Sequence, residues 1–172
     1  MTQPASDTPP AGTYRLDPAG STVQADVKAM FGLITVHGTF RLKSGQVTIA
    51  EDPASSSVQA VIDAGSYDSG NAARDKDVTS AALLDASAHP EITFAAEGAR
   101  QEGSDWVLRG TVNAHGTDDQ VEVRVSAARV ENGVARFQAA ARLDRTSFGV
   151  TKKKGMVGNT VNVVIDAAGQ PA

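Results

Sequence analysis

The sequence predicts an all-β domain, an antiparallel sandwich or barrel of about eight strands with one short helical segment near residues 71–86. Three observations carry this reading. Apolar and polar residues alternate with period two along most of the chain, turn-forming residues punctuate the runs, and a single stretch replaces alternation with helix-type caps.

Taken in order, Tyr14 opens the pattern. Val23, Ala25, Val27, Ala29 and Phe31 then alternate with Gln24, Asp26, Lys28 and Met30. Ile34, Val36, Gly38, Phe40 and Leu42 alternate with Thr35, His37, Thr39 and Arg41. The pattern returns at Val58, Ala60 and Ile62, at Ile92, Phe94 and Ala96, and from Trp106 and Leu108 to Val112. Val121, Val123 and Val125 follow, then Ala135, Phe137, Ala139 and Ala141, then Val161, Val163 and Ile165. Successive strand side chains point to opposite faces, so each run has one apolar and one wet face. Lys43-Ser44-Gly45, Asp52-Pro53 and Glu102-Gly103-Ser104-Asp105 read as loops. Glu131-Asn132-Gly133 is the clearest hairpin, because Asn-Gly supplies the two positive φ values of a type I′ turn. Asn71 to Val78 and Ser80 to Asp85 read as short helical turns with Asn71 and Ser80 as N-caps, and His89-Pro90 ends the segment.

A chain of 172 residues is long enough for one domain with a substantial core. It has no cysteine, which removes disulfides, thiolate nucleophiles and Cys-ligated zinc. Sixteen Lys and Arg stand against 20 Asp and Glu, a formal net charge of -4, the wrong sign for a nucleic-acid binder or for polybasic membrane recognition. The first 12 residues are rich in Pro, Ser and Thr and read as a disordered tail ahead of a single domain over residues 13–168. They contain no basic segment followed by an apolar one, so a cytoplasmic placement is expected. No run reaches the roughly 18 apolar residues of a spanning helix.

The inward phases mix small residues (Ala25, Ala29, Gly38, Ala60, Ala96, Gly110, Ala135, Ala139, Ala141) with Phe31, Phe40, Phe94, Trp106 and Phe137. An eight-stranded barrel either fills its lumen with side chains or keeps room for one ligand. An unfilled apolar space costs about 24 cal/mol per Å³ in core truncations, which a ligand would recover. The alternative is an ordinary two-sheet core with Ala where the sheets approach closely.

The stretch from Ser57 to Phe94 resembles the YceI-like family of bacterial polyisoprenoid-binding, lipocalin-like proteins. The matching residues are Ser66-Tyr67-Asp68-Ser69, the run Ala73 to Val78, the turn Ser80 to Asp85, and His89-Pro90-Glu91-Ile92-Thr93-Phe94. Tyr14-Arg15-Leu16-Asp17, Val36 to Phe40, Gly110 to Thr117 and Arg145-Thr146-Ser147-Phe148-Gly149-Val150 agree in order, so the resemblance extends over Tyr14 to Asp166. It implies a lipocalin-like barrel with a long apolar tunnel, a ligand such as a polyisoprenoid, an isoprenoid quinone or another long-chain amphiphile, and a possible homodimer. A role in stress response is part of the same expectation. Many relatives are exported and many carry histidine where this chain has Ala29, which replaces a head-group contact by a methyl group. Ala82-Leu83-Leu84 stands where bulky aromatics are frequent, which would widen the opening.

The expected function is therefore binding of a long-chain lipid for carriage, storage or shielding, without catalysis and without cofactor. Val27, Phe31, Phe40, Ile62, Phe94, Leu108 and Phe137 are the expected lining residues, and Arg74 is the candidate near the head group. Arg74 has a structural alternative, pairing with Asp75 to fasten loops at the barrel mouth. Two other functions stay open: an enzyme acting on a small amphiphile through Arg74, Asp75 or Tyr67, and a filled interaction barrel. No G-x-S-x-G, no phosphate loop and no metal-ligand spacing is present. His37, His89 and His115 lie in separate segments and are given surface or structural roles, with no metal ligands assigned. Lys152-Lys153-Lys154 reads as a solvated loop or as a basic lip over the mouth.

Overall fold

A computed structural model describes residues 8–153 and 156–172. Its strands are β1 (Gly12–Leu16), β2 (Thr22–Ala29), β3 (Ile34–Ile49), β4 (Ser57–Asp68), β5 (Glu91–Glu102), β6 (Asp105–Ala114), β7 (Thr117–Glu131), β8 (Val134–Asp144) and β9 (Val157–Pro171), with one helix, α1 (Ala72–Thr79). The sheet order is β1-β3-β2-β9-β8-β7-β6-β5-β4, and pairing of β3 with β4 closes it. All neighbouring pairs run antiparallel. The short β1 and the longer β2 lie end to end in the same place, both between β3 and β9, so the wall is an eight-strand closed barrel. Closure leaves no open sheet edge.

Alternation explains the strands, and local chemistry explains the joints. Asn132 and Gly133 adopt φ of 53° and 77°, the left-handed pair that the β7–β8 hairpin requires. His115 and Gly116 make an equivalent turn between β6 and β7 at φ of 56° and 75°. Asn71 caps α1 by accepting from the Arg74 amide at 3.0 Å. Asp52 caps a 3-10 turn at Pro53–Ser55.

One local expectation is corrected. Lys43-Ser44-Gly45 is not a loop: β3 runs through it with a register shift between Leu42 and Ser44. A Cβ on Gly45 would stand 2.6 Å from Leu16 Cδ1, so the glycine here admits a neighbouring core side chain and does not break the strand. Ser80 ends α1, its hydroxyl donating to the Asp77 carbonyl at 2.6 Å. Ser80 also caps the expected turn that follows, its hydroxyl oxygen accepting from the Ala82 amide at 3.3 Å and its carbonyl from the Leu83 amide at 3.1 Å. Residues 81–84 and 86–88 are turns. The expected tail falls partly outside the described residues; within them Pro9 is buried and the Tyr14 hydroxyl donates to the Pro10 carbonyl.

Strand directions define two barrel ends. One carries the β5–β6 and β7–β8 hairpins, the 3-10 turn at Pro53–Ser55 and β1. The other carries the β2–β3 hairpin, α1 with the connector at residues 80–90, the His115 turn, and a 3-10 turn at Arg145–Phe148 leading toward β9.

Candidate functional site

The inward residues of the staves enclose a cavity of about 520 Å³. Ligand sites typically occupy roughly 300–1,000 Å³. Residues two apart line it strand by strand: Ala25 and Val27, Phe40 and Leu42, Ala60 and Ile62, Ile92 and Phe94, Trp106 and Leu108, Val121 and Val123, Ala139 and Ala141, Val163 and Ile165. The wall is almost wholly apolar. The packed core is correspondingly divided. One cluster, around Leu83, Val112, Phe148 and Val150, closes the α1 end, and another, around Tyr14, Leu16, Leu42 and Phe137, lies toward the opposite end. The cavity takes wall residues from both.

Val27, Phe40, Ile62, Phe94, Leu108 and Phe137 stand in this wall, as does Trp106. Phe31 does not. It sits at the tip of the β2–β3 hairpin at φ 58° and is 75 % exposed. The period-two count carried it inward, but β2 ends at Ala29, and the left-handed Met30 and Phe31 turn the chain. Ala29 lies at the same rim, beside a register shift against β9, and is outside the wall. Leu83 and Leu84 line the cavity, and Leu83 is buried against Phe148 and Val150, so the connector packs over this end of the interior.

Not every small inward residue leaves space. A Cβ on Gly38 would stand 2.3 to 2.5 Å from the Tyr67 ring, and one on Gly110 would stand 2.9 Å from Phe94 Cε1. Gly38 admits an aromatic ring, and Gly110 admits the Ala95 carbonyl and Ala96 Cβ of the neighbouring strand beside the Phe94 ring. Of the small residues expected to point inward, Ala25, Ala60, Ala139 and Ala141 border the void.

Arg74 is on α1, outside the cavity wall, and pairs with no carboxylate among the described residues. Asp75 instead accepts from the Ser69 amide at 2.9 Å and hydroxyl at 2.6 Å, fixing the turn after β4. Both charges act on Tyr67, which lines the cavity and packs at a tilt against Phe40, 5.2 Å between ring centroids. Burial pushes the Tyr67 phenol up, the Asp75 charge adds to this, and Arg74 opposes it.

Arg145 is a buried cation in the cavity wall that sequence reading passed over. Its Nε, Nη1 and Nη2 donate to the carbonyls of Gly158 (3.0 Å), Val150 (2.9 Å) and Val157 (3.0 Å). Burial lowers its pKa from the ordinary arginine value, and the Asp144 charge opposes this. Only the tertiary fold shows this role, because the carbonyl acceptors lie on the two sides of the following connection.

A model of the YceI-like domain matches residues 14–168. The chain belongs to the YceI-like family. A UPF0312 protein of Azotobacter vinelandii is 29 % identical over 170 residues, covering 92 % of this chain and 87 % of the relative. Protein YceI of Salmonella arizonae is 24 % identical over 166 residues, with 92 % and 87 % covered. Among solved structures, Burkholderia cenocepacia BcnA superposes with a TM-score of 0.80 at 23 % identity, covering 89 % of this chain and 98 % of BcnA. A polyisoprenoid-binding domain from Saccharophagus degradans superposes with a TM-score of 0.71 at 16 % identity, covering 95 % and 100 %.

The YceI-like fold also gathers histidines that the sequence keeps apart. His89 and His115 face each other with ring centroids 5.1 Å apart, and their ligand atoms lie within 4.8 Å of one another and of an Asp85 oxygen. His37 is elsewhere, exposed on the polar face of β3 and 2.8 Å from Asp26. No helix among the described residues is long and apolar enough to cross a membrane.

Proposed function

We propose that this YceI-like barrel binds one long-chain apolar or amphiphilic lipid of the isoprenoid class, such as an isoprenoid quinone, in its interior. The observation that carries the proposal is the apolar cavity of about 520 Å³ between two separately packed clusters. A wall of branched aliphatic and aromatic side chains offers a hydrocarbon roughly 25 cal/mol per Å² of buried surface and offers a polar solute little. An apolar void left unfilled forfeits the dispersion contacts that a chain would restore. The structural likeness to a polyisoprenoid-binding domain supports the same ligand class.

The proposed role is carriage, storage or shielding, with the ligand released unchanged. Two measurements test it. Native mass spectrometry after organic extraction and reloading with an isoprenoid quinone is expected to give one ligand per chain, and the recovered quinone is expected to be unaltered. Quinone is also expected to quench Trp106, which lies in the wall. Ala60→Phe and Ala139→Phe place rings in the void and are expected to weaken uptake at least tenfold while the chain stays folded. A folded protein that takes up no quinone, or that takes it up equally well with both rings inserted, overturns the proposal.

A further inference from the structure

We propose that Asp85, His89 and His115 form a binding site for a divalent transition-metal ion of the zinc class at the α1 end of the barrel. This is independent of the lipid reading. One carboxylate and two imidazoles are a donor set suited to Zn²⁺ or its neighbours in the first transition row, and too rich in nitrogen for Ca²⁺ or Mg²⁺. The three ligand atoms lie within 4.8 Å of one another. Bonds of about 2.0–2.2 Å place tetrahedral donors roughly 3.3–3.5 Å apart, so an ion draws the three groups inward by side-chain rotation.

Several features of the site favour ligation over simple packing. The His115 Nδ1 is 3.1 Å from the Phe148 carbonyl oxygen. A carbonyl only accepts, so Nδ1 carries the proton and Nε2 keeps the lone pair, the arrangement that orients metal-bound histidines. His89 rests on Gly116, where a Cβ would stand 2.8 Å from its Cε1. Among the described residues, neither the Asp85 carboxylate nor the His89 ring has a hydrogen-bond partner, although both are half-buried. Asp85 and His115 hold φ of 50° and 56°, a left-handed conformation that aims both side chains from tight turns. An ion here ties the connector that packs over this end of the barrel to the β6–β7 turn.

The test uses the full chain stripped with chelator, then titrated with Zn²⁺ by calorimetry and with Co²⁺ by visible absorption. One ion per chain is expected, with a rise in thermal midpoint. Asp85→Asn and His115→Asn keep residues that tolerate the left-handed region, and His89→Gln keeps the volume; each is expected to weaken Zn²⁺ at least tenfold. His37→Ala is expected to leave binding unchanged. No Zn²⁺ binding, or binding that survives all three substitutions or depends on His37, overturns the site.

A different observation points to a surface. Met30, Phe31, Leu33, Ile34 and Met156 are 49, 75, 82, 40 and 47 % exposed. The Met30 amide donates to the Met156 carbonyl at 2.7 Å, so these residues form one apolar knob on the rim. Exposed Lys28 and Lys152 flank it, and Lys153 beside them pairs with Asp77. Neither residues 27–37 nor residues 151–165 contain an Asp or Glu. We infer that this lysine-edged knob seats the barrel on an anionic bilayer, although the whole chain is acidic. Apolar tips enter the acyl boundary while lysines meet lipid phosphates. Co-sedimentation with phosphatidylcholine vesicles, with and without phosphatidylglycerol, is the test. Binding is expected only to the anionic vesicles, and Phe31→Ser/Leu33→Ser and Lys28→Glu/Lys152→Glu are each expected to reduce the pelleted fraction at least fivefold. Equal binding to both vesicles, no binding, or variants that change the sedimentation coefficient of the free protein by splitting a dimer would overturn the inference.

Discussion

Gly110 has no room for a side chain. A Cβ there would stand 2.4 Å from the Ala95 carbonyl oxygen and 2.6 Å from the Ala96 Cβ, neither of which can swing away. Gly110→Ala is therefore expected to cost about 1–3 kcal/mol by overpacking, read from denaturant midpoints. The three atoms nearest a Cβ on Gly38 all belong to the Tyr67 ring, so the cost of Gly38→Ala is expected to shrink in a Tyr67→Ala background; equal costs in both backgrounds would remove the ring from the explanation. Tyr67 also titrates differently in the folded chain. Burial, then the Asp75 charge, hold its proton on beyond the ordinary tyrosine range. The unfolded chain releases that proton first, so this contribution to stability is complete below about pH 10 and is lost as pH rises through the higher folded value. Tyr67→Phe is expected to flatten the alkaline fall in stability, and identical slopes would refute the assignment.

Among the elements, the connection from the Arg145–Phe148 turn into β9 is fastened by the Arg145 side chain. Arg145 joins Val150, before the connection into β9, to Val157 and Gly158 after it. Arg145→Met leaves three carbonyls without this donor and is expected to cost about 2–4 kcal/mol, with Arg145→Lys recovering only part because an ammonium cannot span the same fork. Thermal and denaturant unfolding of the pair measure this. The strands themselves were legible, because alternation is a local property, and so were the Asn132-Gly133 hairpin and the Asn71 cap. Element ends were less so. Phe31 continues the apolar phase in the sequence, yet the chain reverses at Met30, and nothing in a period-two pattern marks where a strand stops. Gly45 looked like a turn for the opposite reason: its cause, the Leu16 side chain, is remote in sequence.

At the level of the whole molecule, ligand and stability are linked. A lipid that binds only the folded barrel at 100 times its Kd contributes about 2.7 kcal/mol. For a domain of this size, that is a rise in Tm of roughly 5–10 °C. Extracted protein is expected to gain that increment on reloading with quinone, and Ala139→Phe is expected to lose it; a Tm indifferent to quinone would leave the cavity without a thermodynamic role.

The succession of strands along the chain, most of their buried phase and the resemblance to the family were determined by the sequence alone, since alternation and short motifs are written in neighbouring residues. Whether the interior was full or hollow was decided only in three dimensions. Gly38 and Ala139 read alike along the chain, but a ring occupies the space beside one and a void borders the other. The meeting of His89 with His115, and the burial of Arg145 among carbonyls, likewise follow from barrel closure, which brings distant turns to one end.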